Sequence, residues 1–343
     1  MEDHQVAVYL AAMAVGGLLG WLAPAAGPGL EHAVNPVLGA LLFVTFLQVP
    51  AAELLRSLRD TRFLAAALVV NFVVVPLVVA ALFPFLPADQ AVRLGVLLVL
   101  LCPCVDYVIV FCGLAGGSAR RLLAATPLLL VVQMLLLPGF LYVSLGSGLA
   151  DVVQPGPFLR AFLFLIVVPL ALAWTLQAWA AHRPAGRKTA EAAATTMVPL
   201  MAATLLTVVA SQVPKLGDRL GDVAAVIPFY VAFLVVMPFA GKAVARLFRL
   251  GADTSTGLGS GTSPGTSSGS GTGPKARAGF GAGAARAIVF TGATRNSLVV
   301  LPLALALPDS LAVAAVVVVT QTLVEVVGMV AYVRLVPRLL PGD

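Results

Sequence analysis

The sequence predicts an all-α membrane protein with ten transmembrane helices in two inverted five-helix repeats. Of its 343 residues, 60% are hydrophobic and only 10% are charged, and the mean hydropathy is +1.02. Soluble domains carry about 25% charged residues. Apolar runs of about 20 residues, which is the length that crosses a bilayer as a helix, recur along the whole chain. Short patterns of the first half also return in the second half.

Ten spans follow from these apolar runs, and most of them contain proline, which membrane helices tolerate at kinks and breaks. We place them at 5–22, 33–52, 63–86, 91–115, 121–146, 157–181, 192–213, 223–248, 281–307 and 309–336. They form one predicted transmembrane domain over 1–343, with repeat one at 1–147 and repeat two at 157–336. The Gly- and Ser-rich stretch 251–280 predicts a flexible cytoplasmic linker.

The distribution of basic residues predicts the orientation of the chain. Ten spans put both termini on one side, and most Lys and Arg residues lie in the loops of that side. The loops of the other side carry only Arg93, Arg160, Lys215 and Arg219. By the positive-inside rule, both termini are cytoplasmic in a multi-pass protein of the plasma (cell inner) membrane. The net charge of +6 therefore reflects topology, and we expect no nucleic-acid partner.

Matching segments indicate the internal repeat. The tripeptide Gln-Val-Pro ends span two at 48–50 and span seven at 212–214. Pro76 of span three corresponds to Pro238 of span eight at a similar offset. Because each half has five spans, the second copy has the opposite orientation. Inverted repeats of this kind are typical of secondary transporters, with the binding site near the membrane midplane.

Span four contains a predicted helix break at Pro103. Cys102, Cys104 and Asp106 flank this proline, which lacks an N–H and disturbs the preceding turn. A charge within the membrane is costly, so Asp106 is expected to be functional. A thiolate suits thiophilic ions, and a carboxylate suits a proton or a cation. Alternatively, a membrane Cys is a small apolar residue, which is the interpretation we favour for Cys112.

Span nine contains a polar island that corresponds to the break in span four. Its members precede a long apolar run and are Gly292, Thr294, Arg295, Asn296 and Ser297. Two interruptions at corresponding positions point to a binding site. Three roles for Arg295 stay open: binding an anion, balancing Asp106 or Glu325, or forming a purely structural ion pair.

Span ten carries Gln321 and Glu325, which are four residues apart and share a helix face. A carboxyl group in apolar surroundings can exchange a proton near neutral pH. The alternative is a hydrogen bond that joins two helices. We assign that joining role to the other intramembrane amides, which are Gln48, Asn71, Gln133 and Gln212.

The broken fourth and ninth spans in two inverted halves resemble the bile acid–sodium symporter superfamily. The Pro103-Cys104 pair, together with Glu325 in "LVEVVGMV", resembles its arsenite efflux permease (arsenical resistance) branch. In that branch a Cys after the span-four Pro and a Glu in span ten form the functional pair. Span nine departs from the branch, which usually has paired Asn residues followed by Glu, whereas this chain has Thr294-Arg295-Asn296. The missing acidic residue in span nine argues against coupling to sodium.

The resemblance implies a secondary transporter that exports trivalent arsenic or antimony, driven by proton entry. We expect no enzymatic activity and no cofactor. The expected partners are a small-molecule or metalloid substrate, a proton or sodium ion, and the lipid bilayer. Substrate contacts are assigned to Cys104 (a transient metalloid ligand), Asp106, Arg295 and Asn296, proton coupling to Glu325, and support of the helix breaks to Pro103, Gly292, Thr294 and Gln321.

Two other functions stay open. One is a sodium- or proton-coupled transporter of organic anions, in which Arg295 holds a carboxylate or sulfonate and the half-helix N-termini add positive potential. The other is a membrane sensor or scaffold without transport, whose only candidate signalling segment is the linker. The chain has no nucleotide-binding loop motif, which disfavours a pump driven by ATP.

Overall fold

The computed structural model describes residues 5–48, 60–104, 107–145, 163–216, 220–250, 274–305 and 307–341. Their regular structure is helical, and no β-strand occurs among them. Helices are the expected solution for apolar segments in lipid, because a helix pairs its backbone N–H and C=O groups within one segment. The structure confirms the predicted all-α class.

The first half of the chain forms helices of very different length. Their bounds are α1 Gln5–Leu22, α2 Gly27–Leu47, α3 Thr61–Phe85, α4 Gln90–Leu100, α5 Val108–Leu114 and α6 Ala119–Leu145. Two of them begin at aspartate caps. The Asp60 side chain accepts a hydrogen bond from the Phe63 N–H at 3.3 Å, and the Asp89 side chain accepts one from the Val92 N–H at 3.0 Å. Such caps satisfy N–H groups that a first helical turn leaves unpaired.

The second half contains α7 Val168–His182, α8 Pro184–Thr195, α9 Met197–Leu216, α10 Leu220–Leu247, α11 Pro274–Ala293, α12 Ser297–Leu305 and α13 Val313–Leu339. The sequence did not predict α8. The proposed linker 251–280 is also too long, because 274–280 belong to α11. That helix starts at a proline, whose missing N–H costs nothing in a first turn. The remainder of the predicted linker, 251–273, lies outside the described residues.

Two π-helical turns adjoin regular helices. One is Val70–Val74 within α3, shortly before Pro76, and the other is Leu163–Val167, directly before α7 and Pro169. Proline removes an N–H donor and crowds the preceding turn, so a widened turn at this place relieves the clash. Such π turns often occur at functional sites. The first of them contains Asn71, which is fully buried.

Fewer helices are long and apolar enough to span a membrane than the sequence predicts. Within the described residues, five are long and apolar enough, namely Pro24–Leu47, Thr61–Phe85, Met197–Pro214, Ala224–Leu247 and Val313–Leu339. A sixth is added if α6, which bends by 50°, counts as one span. Predicted spans four and nine are each divided into shorter pieces by a break, and span one is short. The chain is a multi-pass membrane protein, whereas the ten-span inverted repeat stays a prediction.

The helices pack in two groups. In the first group, α1 lies on α9, α2 lies between α9 and α7, and α8 lies beside α7. The second group contains the broken helices, with α4 against α13, α11 against α10, and α12 against α13. Contacts of α13 with α9 and of α12 with α2 join the groups. The polar residues of spans four, nine and ten that the structure describes therefore lie in the second group.

The two predicted breaks are present. Helix α4 ends at Leu100 and α5 begins at Val108, while α11 ends at Ala293 and α12 begins at Ser297. A glycine motif ends α5, because Gly116 has a φ of 66° and the next N–H, that of Gly117, donates to the Cys112 carbonyl oxygen at 2.8 Å. The breaks free backbone carbonyl groups inside the protein, and these groups form the site.

Candidate functional site

The two helix breaks are joined by main-chain hydrogen bonds. The Cys104 N–H donates to the Thr294 carbonyl oxygen at 3.2 Å, and the Asn296 N–H donates to the Cys102 carbonyl oxygen at 2.8 Å. Together they form an isolated antiparallel bridge centred on Pro103 and Arg295. We name residues 102–104 and 294–296 the crossing. All six are buried, so each break pairs backbone groups that the other leaves free.

Pro103 occupies a position in the bridge that needs no N–H. Both hydrogen bonds come from its neighbours, so Pro103 and Arg295 form the pair of an antiparallel ladder that is not hydrogen bonded. A proline at a hydrogen-bonded position would leave a carbonyl group unpaired. The residue can therefore end α4 without an unsatisfied partner across the crossing.

Arg295 is fully buried, with 0% of its surface exposed. Its Nη2 donates to Asn71 Oδ1 at 2.9 Å, to the Thr291 carbonyl oxygen at 2.6 Å and to the Gly292 carbonyl oxygen at 2.7 Å. Its Nη1 donates to the Leu100 carbonyl oxygen at 3.3 Å. Four protein oxygens thus surround one guanidinium group.

The position of these oxygens at helix ends explains why they attract the guanidinium group of Arg295. The Leu100 carbonyl belongs to the last residue of α4, and the Thr291 and Gly292 carbonyls belong to the last turn of α11. Last-turn carbonyls have no partner within their helix and carry the negative end of the helix dipole. The Phe233 ring adds a cation–π contact, with its centroid 5.6 Å from the guanidinium carbon.

Glu325, in the middle of α13, is also fully buried and binds the crossing through its carboxylate. Its Oε1 accepts a hydrogen bond from the Tyr107 hydroxyl at 2.7 Å. Its Oε2 accepts one from the Arg295 backbone N–H at 2.7 Å and a further one from Gln321 Nε2. Because Tyr107 and Arg295 lie at different breaks, one carboxylate connects both breaks to α13.

Arg295 and Glu325 make no direct side-chain ion pair. The carboxylate binds the Arg295 main chain, whereas the guanidinium reaches toward the ends of α4 and α11. Opposite charges in this interior still attract each other at a distance. Of the roles left open for Arg295, a direct pair with Glu325 is therefore not the arrangement in the structure.

Buried polar atoms without a hydrogen-bond partner remain near the crossing. They include two donors, Arg295 Nε and Asn296 Nδ2, and one acceptor, Gln321 Oε1. Native proteins pair nearly all buried polar atoms with protein or water, so atoms of this kind indicate a place for a polar ligand or for water. The predicted contact of Asn296 with substrate stays a prediction, and its Nδ2 is the atom free to make it.

The other predicted residues of span nine have local partners. Asn296 Oδ1 caps α12 by accepting the Val299 N–H at 3.1 Å, and Thr294 Oγ1 donates to the Phe290 carbonyl oxygen at 2.7 Å. Ser297 accepts a hydrogen bond from Thr322 Oγ1 at 2.6 Å, which ties α12 to α13. Most side chains of the polar island thus bind the helices next to the second break and stabilise its geometry.

The three cysteines lie in two environments. Cys102 and Cys104 belong to the crossing and are buried. Cys112 is buried within α5. Within the described part of the chain, no group of three or more His, Cys, Asp or Glu side chains could hold a metal ion. A thiophilic substrate at this site would therefore meet few thiols at a time.

Asp106 lies outside the described residues, so its predicted role stays untested. Sequence reasoning missed three residues that contact the buried charges, namely Asn71, Tyr107 and Thr291. Asn71 was assigned a joining role, and its place before Pro76 was the only available signal. Nothing in the sequence distinguishes Tyr107 or Thr291 from other membrane residues.

The other intramembrane amides differ from Asn71. Gln48 donates to the Met197 sulfur at 2.6 Å, which joins α2 to α9. Gln212 Nε2 donates to its neighbour Ser211 at 3.3 Å, and its Oε1 has no partner. Both polar atoms of Gln133, a buried residue of α6, lack a partner. The predicted joining role therefore fits Gln48, and it also fits Asn71, whose Nδ2 donates to Thr291 Oγ1 of α11 at 3.2 Å. The structure gives Gln133 no such contact.

Comparisons with known proteins identify the family. No curated protein gives a significant match to this chain. A family model, described as the Sodium Bile acid symporter family, matches residues 35–218, which is more than half of the chain. The matched range contains the first break and ends before the second. The chain belongs to the sodium bile acid symporter family, whose members are membrane transporters and not enzymes.

Proposed function

We propose that this transporter exports trivalent arsenic or antimony and couples export to proton entry. The observation that carries the proposal is the position of Cys104 and Glu325. The Cys104 N–H binds the Thr294 carbonyl oxygen, and Glu325 binds the N–H of the next residue, Arg295. The residue that would bind the metalloid and the residue that would carry the proton therefore contact adjacent residues of the second break.

The chemistry of the substrate fits a single thiol. Arsenite at neutral pH is mostly neutral As(OH)3, and arsenic(III) prefers soft sulfur ligands. Condensation with the Cys104 thiol forms one S–As bond and releases one water, and hydrolysis reverses the step. One such bond permits release, whereas three thiols would trap the metalloid. Arg295 and Asn296 then offer Nε–H and Nδ2–H donors to its hydroxyl groups.

Glu325 has the contacts that a proton carrier needs. The Tyr107 hydroxyl donates to Glu325 Oε1 and also lies 3.4 Å from the Arg295 carbonyl oxygen. If Oε1 receives a proton, it can donate to the Tyr107 oxygen while the Tyr107 hydroxyl turns to that carbonyl. Protonation would then alter a hydrogen bond between the breaks, which links the proton to the geometry of the crossing.

A second function is favoured by the family match itself. The family name refers to sodium and bile acid, so transport of an organic anion coupled to sodium is the alternative. In that function Arg295 would hold the anionic group. Its guanidinium already donates to four protein oxygens through Nη1 and Nη2, and its Nε–H has no partner. Because four oxygens already surround its charge, Arg295 is a weaker anion site than a guanidinium without such partners, which favours the metalloid.

The test compares matched cysteine variants in cells that lack their own arsenite exporters. We expect the chain to confer arsenite resistance, Cys104→Ser to abolish it, and Cys112→Ser to retain it at equal protein level. Both changes put a hydroxyl where a buried thiol was, so their structural costs are similar. Full resistance with Cys104→Ser would remove Cys104 from the mechanism. Uptake of a labelled bile acid that Arg295→Ala abolishes and Cys104→Ser leaves intact would instead establish the organic-anion function.

The proposal includes the predicted topology. Both termini and the linker 251–273 then lie in the cytoplasm, and the protein spans the plasma membrane as two inverted repeats. Reporter fusions at the C-terminus and within 251–273 should both be active on the cytoplasmic side. A periplasmic or external signal from either fusion would contradict the orientation.

A further inference from the structure

We infer that the Arg295 guanidinium is a resident cation that fills a cation site between the ends of α4 and α11, so that transport needs no sodium. The inference concerns the coupling ion. It rests on the site proposed at the crossing but not on the identity of the substrate.

The ligands of the guanidinium are those of a small cation site. Three of them are backbone carbonyl oxygens at helix C-termini, from Leu100, Thr291 and Gly292, and the fourth is the amide oxygen of Asn71. In transporters with broken helices, such half-helix ends and unwound carbonyl groups coordinate sodium ions or protons. Sodium, as a hard cation, binds the same oxygen types as calcium and magnesium do.

The oxygens need a positive charge, because they are buried and gathered in one place. Asn71 has 0% of its surface exposed, and the carbonyl groups belong to buried residues of α4 and α11. Arg295 supplies that charge from within the chain, and a guanidinium does not leave its site as an ion does. A sodium ion at the same place would compete with a tethered group for the same four oxygens.

The contacts of Glu325 agree with a cation site that Arg295 alone fills. Its carboxylate binds N–H and O–H donors rather than facing the guanidinium or the cluster of carbonyl oxygens. The described part of the chain therefore offers no carboxylate to a sodium ion at the Arg295 site. The cation is held at one side of the crossing, and the group that can exchange a proton is held at the other.

Thermal unfolding of the purified full chain tests the inference with the ion alone as the probe. Wild type should have the same Tm in NaCl and in KCl at equal ionic strength. Arg295→Ala vacates the oxygens, so sodium should raise its Tm over potassium by roughly 2–4 °C at a concentration about ten times the Kd. Arg295→Lys keeps a tethered cation and should stay indifferent to sodium.

Arg286 provides the matched control. This half-buried arginine also donates to three carbonyl oxygens, those of Ala115, Gly116 and Leu340, but it lies outside the crossing. Arg286→Ala should lower the Tm without any preference for sodium. A sodium preference in Arg286→Ala equal to that of Arg295→Ala would overturn the inference, because the gain would then be unspecific.

Flux measurements in proteoliposomes remain informative even if Arg295→Ala fails to fold. Wild type should transport arsenite equally with sodium or potassium outside. Sodium-specific stabilisation of wild type, or arsenite flux that stops without sodium, would overturn the inference and leave the proposed substrate intact. A wild type indifferent to sodium that carries a labelled bile acid and not arsenite would overturn the proposed substrate and leave the inference intact.

Discussion

The two helix breaks of this transporter meet at the crossing but have different chemistry. The first break separates α4 from α5, and its described residues contribute the Leu100 carbonyl oxygen, two thiols and the Tyr107 hydroxyl. The second break is only three residues long, is capped by Asn296 and carries the Arg295 charge. The first break thus offers an acceptor to a cation that the second break supplies. The difference teaches that two breaks joined by one pair of main-chain hydrogen bonds can have different roles, with an acceptor at the described part of the first and the guanidinium at the second.

Removing the charge of the second break should have the largest effect. Arg295→Ala deprives four buried oxygens of a donor, and each such loss costs about 1–3 kcal/mol. We expect destabilisation of at least about 3 kcal/mol in the absence of sodium, together with loss of transport. Thermal unfolding and arsenite flux measure both effects. Arg286→Ala serves as the control and should cost less, because that side chain is partly exposed.

Removing the carboxylate that joins the breaks should come next. Glu325→Gln keeps the shape of the side chain but cannot carry a proton, so proton-driven arsenite export should be lost while the protein folds. Tyr107→Phe should weaken export without abolishing it, since the proton site stays. Flux driven by an imposed pH gradient measures both variants. Export by Glu325→Gln that still follows the pH gradient would disprove this coupling role.

Two glycines, one in each of the helices that end at the breaks, allow the packing around the two breaks to be compared. A Cβ at Gly95 of α4 would lie 2.8 Å from the backbone oxygen and 3.0 Å from the Cα of Ala314 in α13, whereas a Cβ at Gly292 of α11 would lie 2.7 Å from Cγ2 of Val70 and 3.2 Å from the terminal methyl of Met237. Backbone cannot move away as side-chain ends can. Gly95→Ala should therefore cost about 1–3 kcal/mol, the usual range for overpacking, and Gly292→Ala should cost less. Equal Tm values for the two variants would show that α4 and α13 can separate as easily as side chains rearrange.

The smallest effect is expected at the cap of the second break. Asn296→Ala removes the acceptor for the Val299 N–H, and loss of such a cap costs about 1 kcal/mol. Asn296→Asp keeps an acceptor for the cap but replaces the unpartnered Nδ2 donor. A variant that keeps the Tm yet loses arsenite flux would assign Nδ2 to the substrate. Flux retained by Asn296→Asp would exclude that contact.

Much of the architecture near the site was predictable. Pro103 and the polar run at 292–297 located both breaks, because a missing N–H and a cluster of polar side chains each interrupt an otherwise apolar helix. The environment of Arg295 was not predictable, since its partner Asn71 is more than two hundred residues away in the chain. The helix at 274–280 was missed because small residues resemble a linker in composition.

The sequence alone determined that this chain is an α-helical membrane protein with two interrupted spans, and it located Arg295 in one of them and Glu325 in the last span. Hydrophobic length and proline position act locally, so a single chain contains that information. Only the tertiary structure decided that Arg295 turns to the helix ends and that Glu325 binds its backbone instead of its guanidinium. The orientation of both side chains depends on which carbonyl groups at the crossing have no partner within their helix. These groups come from two helices that are distant in the sequence, so only the packing of the helices brings them together.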